Sequence, residues 1–112
     1  EMLNFARKKA QSAGVLDRVR FHRCSKDSLD VSVQVDFALT FYMVHESPHP
    51  IRLIDQLCST LKPGGFYYLS EPKFYVTFDQ YHEIVVRCTE NGLTAAKESG
   101  LFSRTAIFRK RT

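Results

Sequence analysis

No apolar run in this 112-residue chain approaches the roughly 20 residues needed to cross a bilayer. The start has no secretory signal pattern, because Arg7, Lys8 and Lys9 interrupt any apolar stretch. Cysteine is scarce and odd in number: Cys24, Cys58 and Cys88 lie far apart and form no Cys-x-x-Cys pair. That excludes a disulfide framework and points to free, mostly buried thiols in a reducing, cytoplasmic setting. His22 and Cys24 stand two apart, with no second pair to complete a metal site. There is no internal repeat, no low-complexity segment and no linker. The net charge is +4, but the basic residues are scattered at 7–9, 18–23 and 109–111. They lack the density and interleaved exposed aromatics of a nucleic-acid footprint, so solvated surface is the expectation and a nucleic-acid partner is not. What remains is one ordinary globular domain, 44% hydrophobic and 25% charged.

One short stretch tests the metal question directly. Residues 45–49 read His-Glu-Ser-Pro-His, the letters of the His-Glu-x-x-His zinc-peptidase pattern. That chemistry needs both imidazoles on one face of a helix. Pro48 removes a helical N–H and clashes with the preceding turn, at a cost of about 3 kcal/mol. Pro50 repeats the obstacle, and no third ligand follows at a useful spacing. Residues 45–50 are therefore expected to be a loop, with no metal bound.

Periodicity supplies the elements. Residues 2–13 carry Met2, Leu3, Ala6, Ala10 and Ala13 at helical spacing, and Gly14 suits the stop. The alternation Val19-Arg20-Phe21-His22-Arg23 predicts a strand. Residues 35–42 are nearly continuous apolar and predict a strand buried on both faces. An amphipathic helix follows over 51–61, ended by Lys62-Pro63-Gly64-Gly65. Residues 66–71 form the next strand. Thr77-x-x-Gln80 reads as a capping box, with Val76 and Tyr81 as its hydrophobic staple, opening a helix that runs to Asn91-Gly92. Two more strands, 93–98 and 105–109, flank a Ser99-Gly100 turn. Strands separated by helices imply right-handed crossovers and a mostly parallel sheet with helices on both sides.

The order and several phrases resemble the C-terminal portion of the class I S-adenosylmethionine-dependent methyltransferases. Glu1-Met2-Leu3-x-x-Ala6-Arg7 is similar to the helix after that family's second strand. Val35-Asp36-Phe37-Ala38-Leu39-Thr40-Phe41-Tyr42 resembles strand four, and Leu61-Lys62-Pro63-Gly64-Gly65 resembles the end of helix four before strand five. The resemblance implies an incomplete Rossmann-like α/β fold, a three-layer α/β/α arrangement with a mostly parallel sheet. Its last strand runs antiparallel, with order 4-5-7-6 in family labels. It covers the whole chain but lacks the glycine-rich loop after strand one and the acidic end of strand two. A fragment is thus expected: inactive alone, weak toward the cofactor, and inclined to self-associate along the bared edge of 35–42.

Carried over by position, the resemblance implies S-adenosylmethionine as cofactor and a small molecule as methyl acceptor. The loop after strand three would meet adenine through Asp27, or alternatively Ser25; both are also ordinary turn residues. Phe41, Tyr42 and Met43, ending strand four, would lie beside the methionine arm. Ligands in open α/β sheets sit at the carboxyl ends of strands, which puts residues 45–49 at the rim of the site. If the acceptor is protonated, a base is needed; His45 is the first candidate, Glu46 the second and Glu71 the third.

Overall fold

The computed structural model describes residues 1–100 and 103–112. Its elements are α1 (Met2–Ser12), β1 (Val35–Phe41), α2 (Pro50–Thr60), β2 (Leu61–Pro72), α3 (Phe78–Glu90), β3 (Leu93–Ser99) and β4 (Ser103–Lys110). The four strands form one sheet in the order β1-β2-β4-β3. β1 pairs parallel with β2, while β4 runs antiparallel to both β2 and β3. Three strands therefore share one direction and the last opposes them, which is the expected 4-5-7-6 arrangement.

The local signals act as read. Thr77 Oγ1 accepts from the Gln80 N–H while the Gln80 side chain accepts from the Thr77 N–H, so the capping box is closed. Val76 and Tyr81 on either side of it are both buried in the core. Pro50 starts α2 at a position where the missing N–H costs nothing. The helix ends at Thr60, and the Lys-Pro-Gly-Gly segment enters β2 through an irregularity: the register runs Val35↔Leu61, then Phe37↔Phe66. Gly64 there has φ of 84°, and a Cβ on Gly65 would lie 2.9 Å from the carbonyl oxygens of Asp36 and Lys62. β2 is thus longer than the 66–71 expected.

The core lies between the sheet and the α2–α3 pair, with Tyr67, Leu69, Ala106 and Phe108 facing Ile54, Leu57, Cys58, Ile84 and Cys88. The Tyr67 hydroxyl is satisfied by Thr40 at 2.6 Å, and burial pushes its ionisation upward.

Two expectations are corrected here. Residues 19–23 form no strand. Alternation makes a strand only where a neighbour supplies a ladder of hydrogen bonds, and among the described residues no strand pairs with this segment. Instead Phe21 packs under the Arg7 guanidinium and His22 Nε2 bonds to Leu29 O. The strand at 35–42 is not buried on both faces. Ala38 and Thr40 turn toward the core, but Phe37, Leu39 and Phe41 are more than half exposed. Phe66, the register partner of Phe37, extends that apolar face. That face is left partly uncovered, as an incomplete sheet of this fold leaves it. The three thiols are free and mostly buried, as expected: Cys58 and Cys88 are buried and Cys24 is exposed.

Candidate active site

β1 and β2 are parallel, so their carboxyl ends lie side by side and the chain must leave the sheet there together. Tyr42 makes the exit. Its N–H bonds to Ser70 O at 2.8 Å and its φ is 55°, a left-handed conformation that costs a bulky residue about 1–3 kcal/mol. Its ring stacks on Phe41 with centroids 4.1 Å apart, and its hydroxyl bonds to Ser103. A single 3₁₀ turn, Val44–Glu46, follows, anchored by fully buried Val44. Ser47 is extended, so residues 45–49 do not share a helix.

That turn brings His45 onto Glu71 at the end of β2. Glu71 is completely buried. Its Oε1 accepts the His45 backbone N–H at 3.2 Å and its Oε2 lies 2.6 Å from His45 Nδ1. The other ring nitrogen, Nε2, is 3.7 Å from the largely exposed carboxylate of Glu46. His49 takes no part in this pair: its Nε2 lies 3.4 Å from Asp27, which Arg52 also approaches at 3.6 Å. Among the described residues no group of three or more His, Cys, Asp and Glu side chains could hold a metal ion.

Two cavities border the 43–49 loop. One, of about 280 Å³, is lined by Cys24, Ser25, Asp27, Met43, Glu46 and His49, among others. The second, of about 240 Å³, is lined by His45, Ile51, Val76, Gln80, Glu83 and Ile84. Ser25, Asp27, Met43 and Glu46 are thus gathered at the first cavity. His45 faces the second. Phe41 and Tyr42 line neither; Phe41 lies on the open sheet face. Ser25 is occupied as a turn former, its Oγ accepting from the Ser28 N–H at 3.0 Å. One contributor carries no sequence signal at all. Gln56 on α2 accepts from Leu29 N–H at 2.7 Å and donates to Asp27 O at 3.0 Å, pinning the 27–29 segment over the helix. A glutamine within an amphipathic helix looks like any other solvated residue until the loop is seen to cross it.

Comparisons with known proteins follow the same outline. A family described as "Methyltransferase domain" matches residues 1–69, which spans α1 through most of β2. No curated protein matches the chain's sequence. Among solved structures, the [4+2]-cyclase SpnF superimposes with a TM-score of 0.80 at 14% identity, covering 98% of this chain and 63% of that one. An O-methyltransferase family protein from Burkholderia thailandensis gives 0.76 at 15% identity over 96% of this chain and 40% of its own. A SAM-dependent methyltransferase from Aquifex aeolicus gives 0.74 at 17% identity over 96% and 63%. At such identities these likenesses show a shared fold, and the chain spans no more than 63% of their lengths. S-adenosylmethionine is the cofactor that this family relationship implies. With residues 1–69 matching its family outline and the sheet order completing it, the chain belongs to the methyltransferase domain family.

Proposed function

We propose that the protein is part of a longer S-adenosylmethionine-dependent methyltransferase that acts on a small-molecule acceptor. The observation that carries this reading is the convergence of the 43–49 loop and Glu71 at the carboxyl ends of the parallel β1–β2 pair, in a chain of this family. The residues present suit one end of the cofactor. The Asp27 carboxylate is an acceptor for an adenine amino group, Ser25 stands beside it as the alternative, and Met43 offers an apolar wall in the same cavity. Phe41 and Tyr42 act here as framework for the strand end rather than as lining.

When bound, the cofactor supplies a methyl group already activated on a sulfonium. The protein's own tasks are then to orient the acceptor and to take its proton. His45 is the base in this reading: its ring is held at one nitrogen, and it lines a cavity of about 240 Å³ with apolar walls at Ile51, Val76 and Ile84. Glu46, mostly exposed and 3.7 Å from the ring, is the secondary candidate. In the longer chain, His45→Ala lowers the chemical rate by about 10²–10⁴-fold and leaves cofactor affinity nearly unchanged. A variant with full turnover would remove His45 from this role.

Titration calorimetry with S-adenosylmethionine tests the cofactor reading. This chain is expected to bind it weakly and to be inactive alone, and the same chain extended upstream by two strands to bind it tightly. Equal, tight binding by both would defeat the view that the site is shared with a preceding segment. A second reading, a non-catalytic interaction module, is favoured by one observation: Phe37, Leu39, Phe41 and Phe66 leave an apolar sheet face open next to the edge of β1, which is unpaired among the described residues. The absence of cofactor binding even in the extended chain would select it.

A further inference from the structure

Glu71 is a carboxylate with no exposed surface, 26 residues from the histidine it touches. A buried charge is expensive unless it is met by donors. Both oxygens here face one residue. The backbone N–H of His45 can only donate, so Oε1 is an acceptor. Oε2, at 2.6 Å from Nδ1, is close enough for a charge-assisted bond. Arg104, opposite Glu71 across the β2–β4 ladder, is directed elsewhere: its Nε donates to Val76 O at 3.0 Å and its guanidinium lies over Phe78. His45 is therefore the partner that the pocket of Glu71 is built around.

We infer that Glu71 is a positioning residue: as a carboxylate it fixes the neutral His45 ring as the Nδ1–H tautomer and leaves Nε2 as its one basic nitrogen. This rests on the proposed role of His45 and deepens it. A neutral imidazole has one donor and one acceptor nitrogen, and the bond made at one decides which the other is. With Nδ1 donating to Glu71, the free lone pair is at Nε2. An acceptor O–H or N–H then loses its proton to Nε2, and the electron pair of the broken bond stays on the acceptor atom. The resulting imidazolium keeps its Nδ1–H bond to a carboxylate that is already in place. Glu71 touches neither acceptor nor cofactor in this scheme.

The opposite arrangement is a real competitor and has an opposite spectrum. If Glu71 carried a proton, its O–H would donate to Nδ1, the ring proton would sit on Nε2, and His45 could accept nothing from a substrate. Two-bond ¹⁵N–¹H correlation spectra of the ¹⁵N-labelled chain, at a pH where the ring is neutral, distinguish the two. The expected pattern has a protonated Nδ1 and a bare Nε2. A protonated Nε2, or rapid averaging between the tautomers, overturns the inference, and this readout needs neither cofactor nor turnover.

The variant arm uses Glu71→Gln, which keeps the shape but gives the position an amide N–H. That donor faces Nδ1 and reverses the tautomer, so the spectrum is expected to switch to Nε2–H. In the extended, active enzyme, Glu71→Gln should cost about as much as His45→Ala, roughly 10²–10⁴-fold in kcat. The double variant should be no slower than His45→Ala, since the two act as one unit. Multiplicative losses in the double variant would show an independent, merely structural role for Glu71 and refute the positioning assignment. Full turnover by His45→Ala would instead fail the base reading, while the wild-type spectrum still decides the tautomer.

Discussion

His45 and His49 stand four residues apart, yet each imidazole is held by a different acid, Glu71 for the first and Asp27 for the second. His45 and Glu46 are consecutive and still line different cavities, because one 3₁₀ turn rotates their side chains apart. Side-chain chemistry in this chain is decided by such neighbours. Asp55 is another case. It accepts two bonds from Arg87, at 2.6 and 2.7 Å, and one from Asn91 at 2.8 Å. The Arg87 bond first, and the Asn91 bond next, lower its pKa from 3.8 to about 2, against an opposing effect of burial. A lowered folded-state pKa means that the carboxylate contributes stability above pH 4. That contribution is lost as the pH falls from about 4 to about 2. The side chain is 35% exposed, so screening holds the contribution to about 1 kcal/mol or less. Urea denaturation of Asp55→Asn should show slightly lower stability at pH 7 and a flatter decline between pH 4 and pH 2. An unchanged decline would deny the residue this role.

At the scale of elements, the Asp55–Arg87–Asn91 contacts tie α2 to α3, and both helices cover the same face of the sheet. The entry to β2 is the tightest junction. Lys62-Pro63-Gly64-Gly65 has to stop α2, turn, and join β1 in register within four residues. Gly64 supplies the positive φ and Gly65 the close approach to two carbonyl oxygens. A methyl group on Gly65 meets backbone at 2.9 Å, so β1 or the turn must shift. Gly65→Ala is expected to lower stability by about 1–3 kcal/mol, read as a lower denaturation midpoint at unchanged slope. A wild-type midpoint would mean the junction has slack that the packing does not suggest. α1 stands at the other extreme. Only Ala10 is buried, while Met2 and Phe5 are exposed, so its amphipathic pattern has found little to cover it.

The whole molecule bears the mark of that incomplete burial. Its radius of gyration is 14.6 Å, against about 13 Å for a compact domain of this length. The open face built from Phe37, Leu39, Phe41 and Phe66 adjoins the outer edge of β1, whose N–H and C=O groups have no ladder partner among the described residues. Such an edge invites another strand. Sedimentation velocity across a concentration series should show self-association of this chain. Phe37→Ser with Phe41→Ser should weaken it with little loss of folded stability, since both side chains are already more than half exposed. A monomer at every concentration would mean that the edge is protected by its own twist or charge.

The sequence by itself determined what depends on near neighbours. The helix spans to within a few residues, the capping box at Thr77 and the break in helix at 45–49 rest on periodicity, caps and proline sterics, which are all local. The strand order was legible only through the resemblance, which implied the antiparallel last strand between its two neighbours. Only the tertiary structure decided the rest. Residues 19–23 have the letters of a strand, but a strand exists only beside a partner. Residues 35–41 have the letters of a doubly buried strand, but burial depends on what lies over each face. Glu71 read as a weak third candidate for base; enclosure of its carboxylate against a histidine 26 residues away makes it the group that orients another. Distance along the chain carries no information about that contact, because the parallel pairing of β1 with β2 alone brings the two strand ends together.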